Sequence, residues 1–157
     1  MPQLAAANGT ISVHFVNNVL AAAASYIEED PDAARDALAE LGAFLTHRLR
    51  PARAVSLQEE LDHVGVYLRL QEFRFPGRLD SAVPDSTAAR ILVGPGDVQR
   101  PVGNALDAWL ARRPGRVRVR LRTAGDDLEL QLDAPDTPDV DAELVSIDLT
   151  KSVRSSE

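Results

Sequence analysis

Cysteine is absent, so a disulfide framework, a thiolate metal site and a cysteine nucleophile are all excluded. No run of about eighteen apolar residues occurs, and the N-terminus lacks the basic start and apolar stretch of a secretory signal. A cytoplasmic protein without membrane contact is therefore expected. Lysine is nearly missing: Lys151 stands alone against sixteen arginines, a bias of genome composition that says nothing about function. There is no P-loop, no Ser/His/Asp set and no His-x-x-x-His pair, so no metal centre is expected either. A formal net charge of -7 disfavours nucleic acid and anionic lipid, which need a basic face. Protein partners are the expectation.

What is present is apolar surface, 45% of 157 residues, enough for one core. Ile11, Phe15, Val19, Ala22, Ala23, Tyr26 and Ile27 recur at three- and four-residue spacing. This predicts an amphipathic helix over about 5–29, with Asn8 capping its first turn. Asp30-Pro31-Asp32 stops that helix and starts another over about 31–49, since aspartate caps well and proline suits the first helical position. The second stripe is Ala34, Ala37, Leu38, Leu41, Phe44, Leu45 and Leu49. A short break between them predicts an antiparallel hairpin, and two hairpins make a four-helix bundle. At about 25 cal/mol per Å² of apolar surface, leaving these stripes wet costs several kcal/mol, so a homodimer is expected.

Ser56 and Glu59 form a capping box that opens a third helix through about Phe75, closed by Pro76-Gly77. Beyond it the pattern changes. Gln99 to Arg112 reads as a helix, and VRVRLRT (117–123) and LELQL (128–132) alternate with period two around Gly125-Asp126, as in a hairpin. LVSIDL (144–149) fits either an edge strand or a loose segment. Arg112, Arg113, Arg116, Arg118, Arg120 and Arg122 form a basic patch, read as solvated charge or as a contact for an acidic receiver domain. The acidic pairs Asp30/Asp32, Glu59/Glu60 and Asp126/Asp127 lie at caps, turns and helix faces and read as solvated. His47 and His63 have no motif around them and read as surface residues.

ISVHFVNNVL (11–20) resembles the N-P-H-F-L-F-N signature of LytS/YehU-type sensor histidine kinases, with His14, Phe15 and Asn18 matching. The resemblance continues in order through DPDAARDALAELGAFL (30–45) and VSLQEELDHVGVYLRLQEFRFPGRL (55–79). The family's recurring positions fall on Leu57, Glu59, Glu60, Leu61, Tyr67, Leu68, Gln71, Arg74 and Phe75. It implies that His14 is a phosphoacceptor. A helix holds an imidazole at a fixed height where a phosphoryl donor and an acceptor aspartate can line up. Asn18, one turn along the same face, can orient the ring as a neutral amide.

The same resemblance implies ATP-binding motifs in the second half, and these are degraded. QRPVGNAL (99–106) is similar to Q-P-L-V-E-N-A, with Gly103 in place of an acidic residue and Asn104 retained. LDAPD (132–136) is similar to the D-x-G-x-G turn, with Asp133 at the adenine-reading position and Pro135 replacing a glycine. No glycine-rich lid follows. Magnesium-ATP is thus expected to bind weakly or not at all, and Asn104 and Asp133 are remnants of its site.

An α+β protein is expected: a helical hairpin (1–54) forming a four-helix bundle in a homodimer, a joining helix (55–79), and a small, truncated GHKL (Bergerat-type) α/β sandwich (80–157). Its expected function is phosphorelay signalling, with His14 exchanging a phosphoryl group with a response-regulator aspartate. A non-catalytic scaffold that regulates a partner protein and a divergent ATP-dependent kinase stand as alternatives.

Overall fold

The computed structural model describes residues 3–6, 9–51, 54–85 and 91–150. The chain begins with an antiparallel pair of short strands, β1 (Gln3–Ala6) and β2 (Gly9–Ser12), where periodicity predicts helix. Helix α1 (Val13–Tyr26) starts only after Ser12. The local cause is a cap: Ser12 keeps an extended backbone and its hydroxyl accepts the Phe15 amide at 3.3 Å. Ile11 continues the helical spacing from a strand, which hides the boundary. Asn8, the expected cap, lies outside the described residues.

Helix α2 (Pro31–Arg48) forms as its sequence predicts, with proline in the first turn and the Asp30 carboxylate accepting the Ala33 amide at 3.1 Å. Helix α3 (Leu57–Arg74) is capped by Ser56, which accepts the Glu59 amide at 3.1 Å. The Glu59 carboxylate turns instead to Arg50, 2.7 Å away. α1 packs on α2, and α3 packs on both. Val19 and Ala23, Ala37, Leu41 and Phe44, and Leu61, Val64 and Leu68 fill the space between them.

Strand β3 (Val55–Ser56) pairs with β5 (Leu92–Val93), which ties the start of α3 to the segment leading into helix α4 (Gln99–Arg112). A four-stranded sheet follows the order β4 (Leu79–Ala82), β6 (Val117–Ala124), β7 (Asp127–Asp133), β8 (Glu143–Ile147). β4 runs parallel to β6, and the other neighbours are antiparallel. The β6–β7 turn takes positive φ at Gly125 (64°), the first loop position, where glycine is favoured. Val119 and Leu121 pair with Leu132 and Leu130 on the buried face, against Val102, Leu106 and Trp109 of α4. The 144–149 segment is settled as an edge strand over Glu143–Ile147. One continuous apolar core joins the helices to the sheet, and the class is α+β.

Candidate functional site

Four helices wall a cleft of about 420 Å³, α2 through Phe44 alone. α1 contributes His14, Phe15 and Asn18, α3 contributes Tyr67 and Arg74, and α4 contributes Gln99, Arg100, Gly103, Asn104 and Asp107. His14 and Asn18 are four residues apart, hence on one face of α1. Asn104 and Asp107 are three apart and share a face of α4. His14 and Asn104 are exposed and Asn18 is half-buried. The cleft thus brings together three of the four residues singled out by sequence. No hydrogen bond joins His14 to Asn18 among the described residues. Asp133 lies elsewhere, at the end of β7, with its carboxylate 3.5 Å from Arg118 and 3.4 Å from the Gln131 amide nitrogen.

The cleft floor is a polar chain of Tyr67, Gln71 and Arg74, three positions of the family's recurring pattern to which sequence alone assigns no role. Gln71 Nε2 donates to the Tyr67 hydroxyl at 2.8 Å, and Arg74 donates to Gln71 Oε1 at 2.9 Å. Phe15 packs its ring 5.1 Å from Phe44 and 5.4 Å from Tyr67, with the Arg74 guanidinium 6.0 Å from its centroid. Burial pushes the Tyr67 phenol well above its ordinary pKa, and Asp107 adds to the shift. Burial also raises the Asp107 carboxyl, against the attraction of Arg74 and His14. No sequence signal marked Asp107. At Gly103 a Cβ would meet Gln99 Nε2 at 3.1 Å and the Tyr67 hydroxyl at 3.2 Å. The space that an acidic side chain would need is held by these two groups.

A second polar cluster corrects three expectations. Glu60 is not solvated: it is 0% exposed and accepts the backbone amides of Gly96 (2.9 Å), Val98 (2.9 Å) and Gln99 (3.0 Å). It therefore caps α4 from another helix, where Val98 at the N-cap position has no side chain to do so. His47 is no surface residue either, its Nε2 lying 2.8 Å from Glu60 Oε1. His63 is 3% exposed and stacks on His47 (4.1 Å) and Phe44 (4.7 Å). Neither of its ring nitrogens has a hydrogen-bond partner. Burial, then His47, then Arg48 lower its pKa to about 2, so the ring is neutral. Arg48 donates to Gln99 Oε1 at 2.8 Å, so Gln99 links this cluster to the cleft. A signal existed: Glu60, His63, Tyr67 and Gln71 follow helical spacing beside the apolar stripe Leu57, Leu61, Val64, Leu68.

The arginines of β6 are tethered rather than free-standing. Arg118 lies 3.5 Å from Asp80 and from Asp133, and Arg120 lies 3.9 Å from Asp80. No helix among the described residues is long and apolar enough to cross a membrane.

Residues 2–79 match the family model for histidine kinases. Over 129 residues, 78% of this chain, it is 30% identical to the sensor histidine kinase BtsS of Escherichia coli K12, covering 23% of that protein. The sensor protein LytS of Bacillus subtilis 168 is 27% identical over 150 residues, 90% of this chain and 25% of LytS. LytS of Staphylococcus saprophyticus is 33% identical over 99 residues, 61% of this chain and 17% of the relative. This chain belongs to the histidine kinase family, with a core of the LytS/YehU type. It spans a quarter or less of the length of these relatives.

Proposed function

We propose that the chain is a phosphotransfer module of a two-component or phosphorelay system, with His14 as the phosphoacceptor and a response-regulator receiver domain as its partner. The observation that carries this reading is an exposed histidine on the rim of an open cleft that also presents Arg74 and Arg100. A ring nitrogen of His14 attacks the phosphorus of an aspartyl phosphate, the P–O bond breaks, and the aspartate leaves as carboxylate; delivery is the reverse. The two guanidinium groups complement charge on the transferring group, and Asn18 orients the imidazole. In this reading 1–54 carry dimerisation and the acceptor, 55–79 join the modules, and 80–157 are a degenerate GHKL module. The protein works in the cytoplasm.

A second copy of the chain is the proposed cover for α1 and α2, giving the four-helix bundle. Leu20 on α1, Ile27 at its C-cap and Leu38 on α2 are exposed large apolar groups. Sedimentation is expected to find a dimer at micromolar concentration, and a stable monomer there would remove this part of the reading.

Magnesium-ATP does not fit the residues present. Tyr67 and Gln99 leave no room for a side chain at Gly103, Asn104 stands without an acidic neighbour at that position, and Asp133 is engaged by Arg118. A scaffold that binds and regulates a partner is the second reading, favoured by this closure of the position next to Asn104. A divergent kinase is the third. Labelled ATP and, separately, a labelled phosphorylated receiver domain distinguish them: label from the receiver alone supports phosphotransfer, label from ATP supports a kinase, and no label supports the scaffold. His14→Gln is expected to abolish acid-labile, base-stable phosphorylation while the protein stays folded.

A further inference from the structure

Three side chains at the junction of α2 and α3 are placed as a cation site that the phosphotransfer reading does not use. His47, Glu60 and His63 each offer one ligand atom, and these atoms all lie within 4.8 Å of one another. Two of the three are buried, and His63 has two ring nitrogens without hydrogen-bond partners. A buried polar group left unpaired is costly, so a lone pair with no partner beside a carboxylate and a second imidazole calls for one. A groove of about 370 Å³, lined by His47, His63, Glu59, Asp62 and Arg50, opens onto the cluster from solvent.

We propose that His47, Glu60 and His63 bind a divalent transition-metal ion of the zinc type, with water from the groove in the fourth position. Two imidazoles and one carboxylate suit zinc or cobalt and are a poor match for magnesium or calcium, which prefer all-oxygen shells. Glu60 and His63 stand three apart on α3 and His47 comes from α2, so no His-x-x-x-His on one helix announces the site. Glu60 Oε2 keeps the amides of Val98 and Gln99, while Oε1, which also accepts the Gly96 amide at 2.9 Å, turns its remaining lone pair to the ion. His47 Nε2 now donates to Oε1 across 2.8 Å, and on loading its proton moves to Nδ1, leaving a neutral ligand.

Two features oppose loading, and both are of limited size. The His47 and His63 rings are stacked at 23° rather than converging, so the His63 ring must tilt toward the groove to bring the ligand atoms to roughly 3.4 Å from one another, as bonds of about 2.1 Å require. Arg48 and Arg50 repel a cation, but Glu59 and Asp62 at the groove and Glu60 itself offset them. Loading would also draw α2, α3 and the start of α4 together through Glu60.

The test is titration of the untagged, chelator-treated full chain with cobalt(II) chloride. One ion per chain is expected, with the intense visible bands of four-coordinate cobalt, displaced by zinc. X-ray absorption of the zinc-loaded protein should count two imidazole ligands. His63→Phe, which preserves the stack on Phe44, and His47→Gln should each weaken binding by at least about 100-fold, more than the loss of an outer hydrogen-bond partner. His14→Gln should leave the bands unchanged, which separates this site from the candidate phosphoacceptor. Absence of the bands, a zinc shell with fewer than two imidazoles, or unchanged binding in folded His63→Phe overturns the proposal. The wild-type spectra decide the matter even if both variants fail to fold.

Discussion

The two polar regions of this molecule are close neighbours with opposite designs. Around Glu60, a fully buried carboxylate takes three backbone amides and faces an imidazole. Around His14, polar side chains stand at an open cleft and leave much of their bonding capacity to solvent. Burial makes each missing partner costly, whereas exposure lets a group exchange partners at little cost. Stability is therefore concentrated around Glu60 and exchangeable chemistry around His14. Substitutions near Glu60 should cost stability, and substitutions near His14 should change what the protein does.

The largest expected effect is at Glu60. Glu60→Ala strands the amides of Gly96, Val98 and Gln99 inside the protein and removes the charge that complements the start of α4. A loss of about 3–5 kcal/mol is expected from urea unfolding, the scale seen when one partner of a buried charged group is deleted. Glu60→Gln should fall between, because the amide offers one acceptor oxygen and turns an NH₂ toward donors. Gly96→Ala comes next. Gly96 has φ of 91°, and a Cβ there would lie 2.6 Å from Arg48 Nε. Backbone strain and displacement of the Arg48 guanidinium together are expected to cost about 2–3 kcal/mol. If either variant kept wild-type stability, the contrast between the regions would fail.

Much of the fold was legible because its signals are local. The caps at Asp30 and Ser56, the helical stripe of α2 and the alternation in β6 and β7 each need only neighbouring residues to be interpreted. β3, β5 and β4 were not legible. Two of them are two residues long and the third buries only Leu79, so their pairing depends on distant partners. The cleft was half legible: His14, Asn18 and Asn104 stood in motifs, whereas Asp107 did not. Glu60 was misread because the first turn of a helix is where a solvated glutamate is ordinary, and only the fold brings the start of α4 over it.

A smaller effect is expected where the two regions meet. Tyr67→Phe removes the acceptor for Gln71 Nε2, a donor on a side chain that is 1% exposed. About 1 kcal/mol should be lost in urea unfolding, since a single neutral hydrogen bond is broken. Phosphotransfer through His14 should survive this change, which would show that the cleft floor supports the site without reacting in it.

The smallest effect, and the one with the most informative sign, is at Asp107. Its side chain reaches solvent, yet burial of the carboxyl outweighs the pull of Arg74 and His14 and raises its pKa. A carboxyl whose folded pKa lies above its unfolded value binds its proton more tightly in the folded state. Its ionisation therefore subtracts stability as pH rises through the carboxylate range, and the penalty vanishes at pH values where both states are protonated. Asp107→Asn removes the ionisation. The variant is expected to be slightly more stable than wild type at neutral pH, with the difference shrinking toward zero in acid. Paired urea midpoints at the two pH values are the measurement. A variant less stable at neutral pH would mean that attraction to Arg74 and His14 dominates, and the cleft would then count among the stabilising polar networks that the Glu60 region exemplifies.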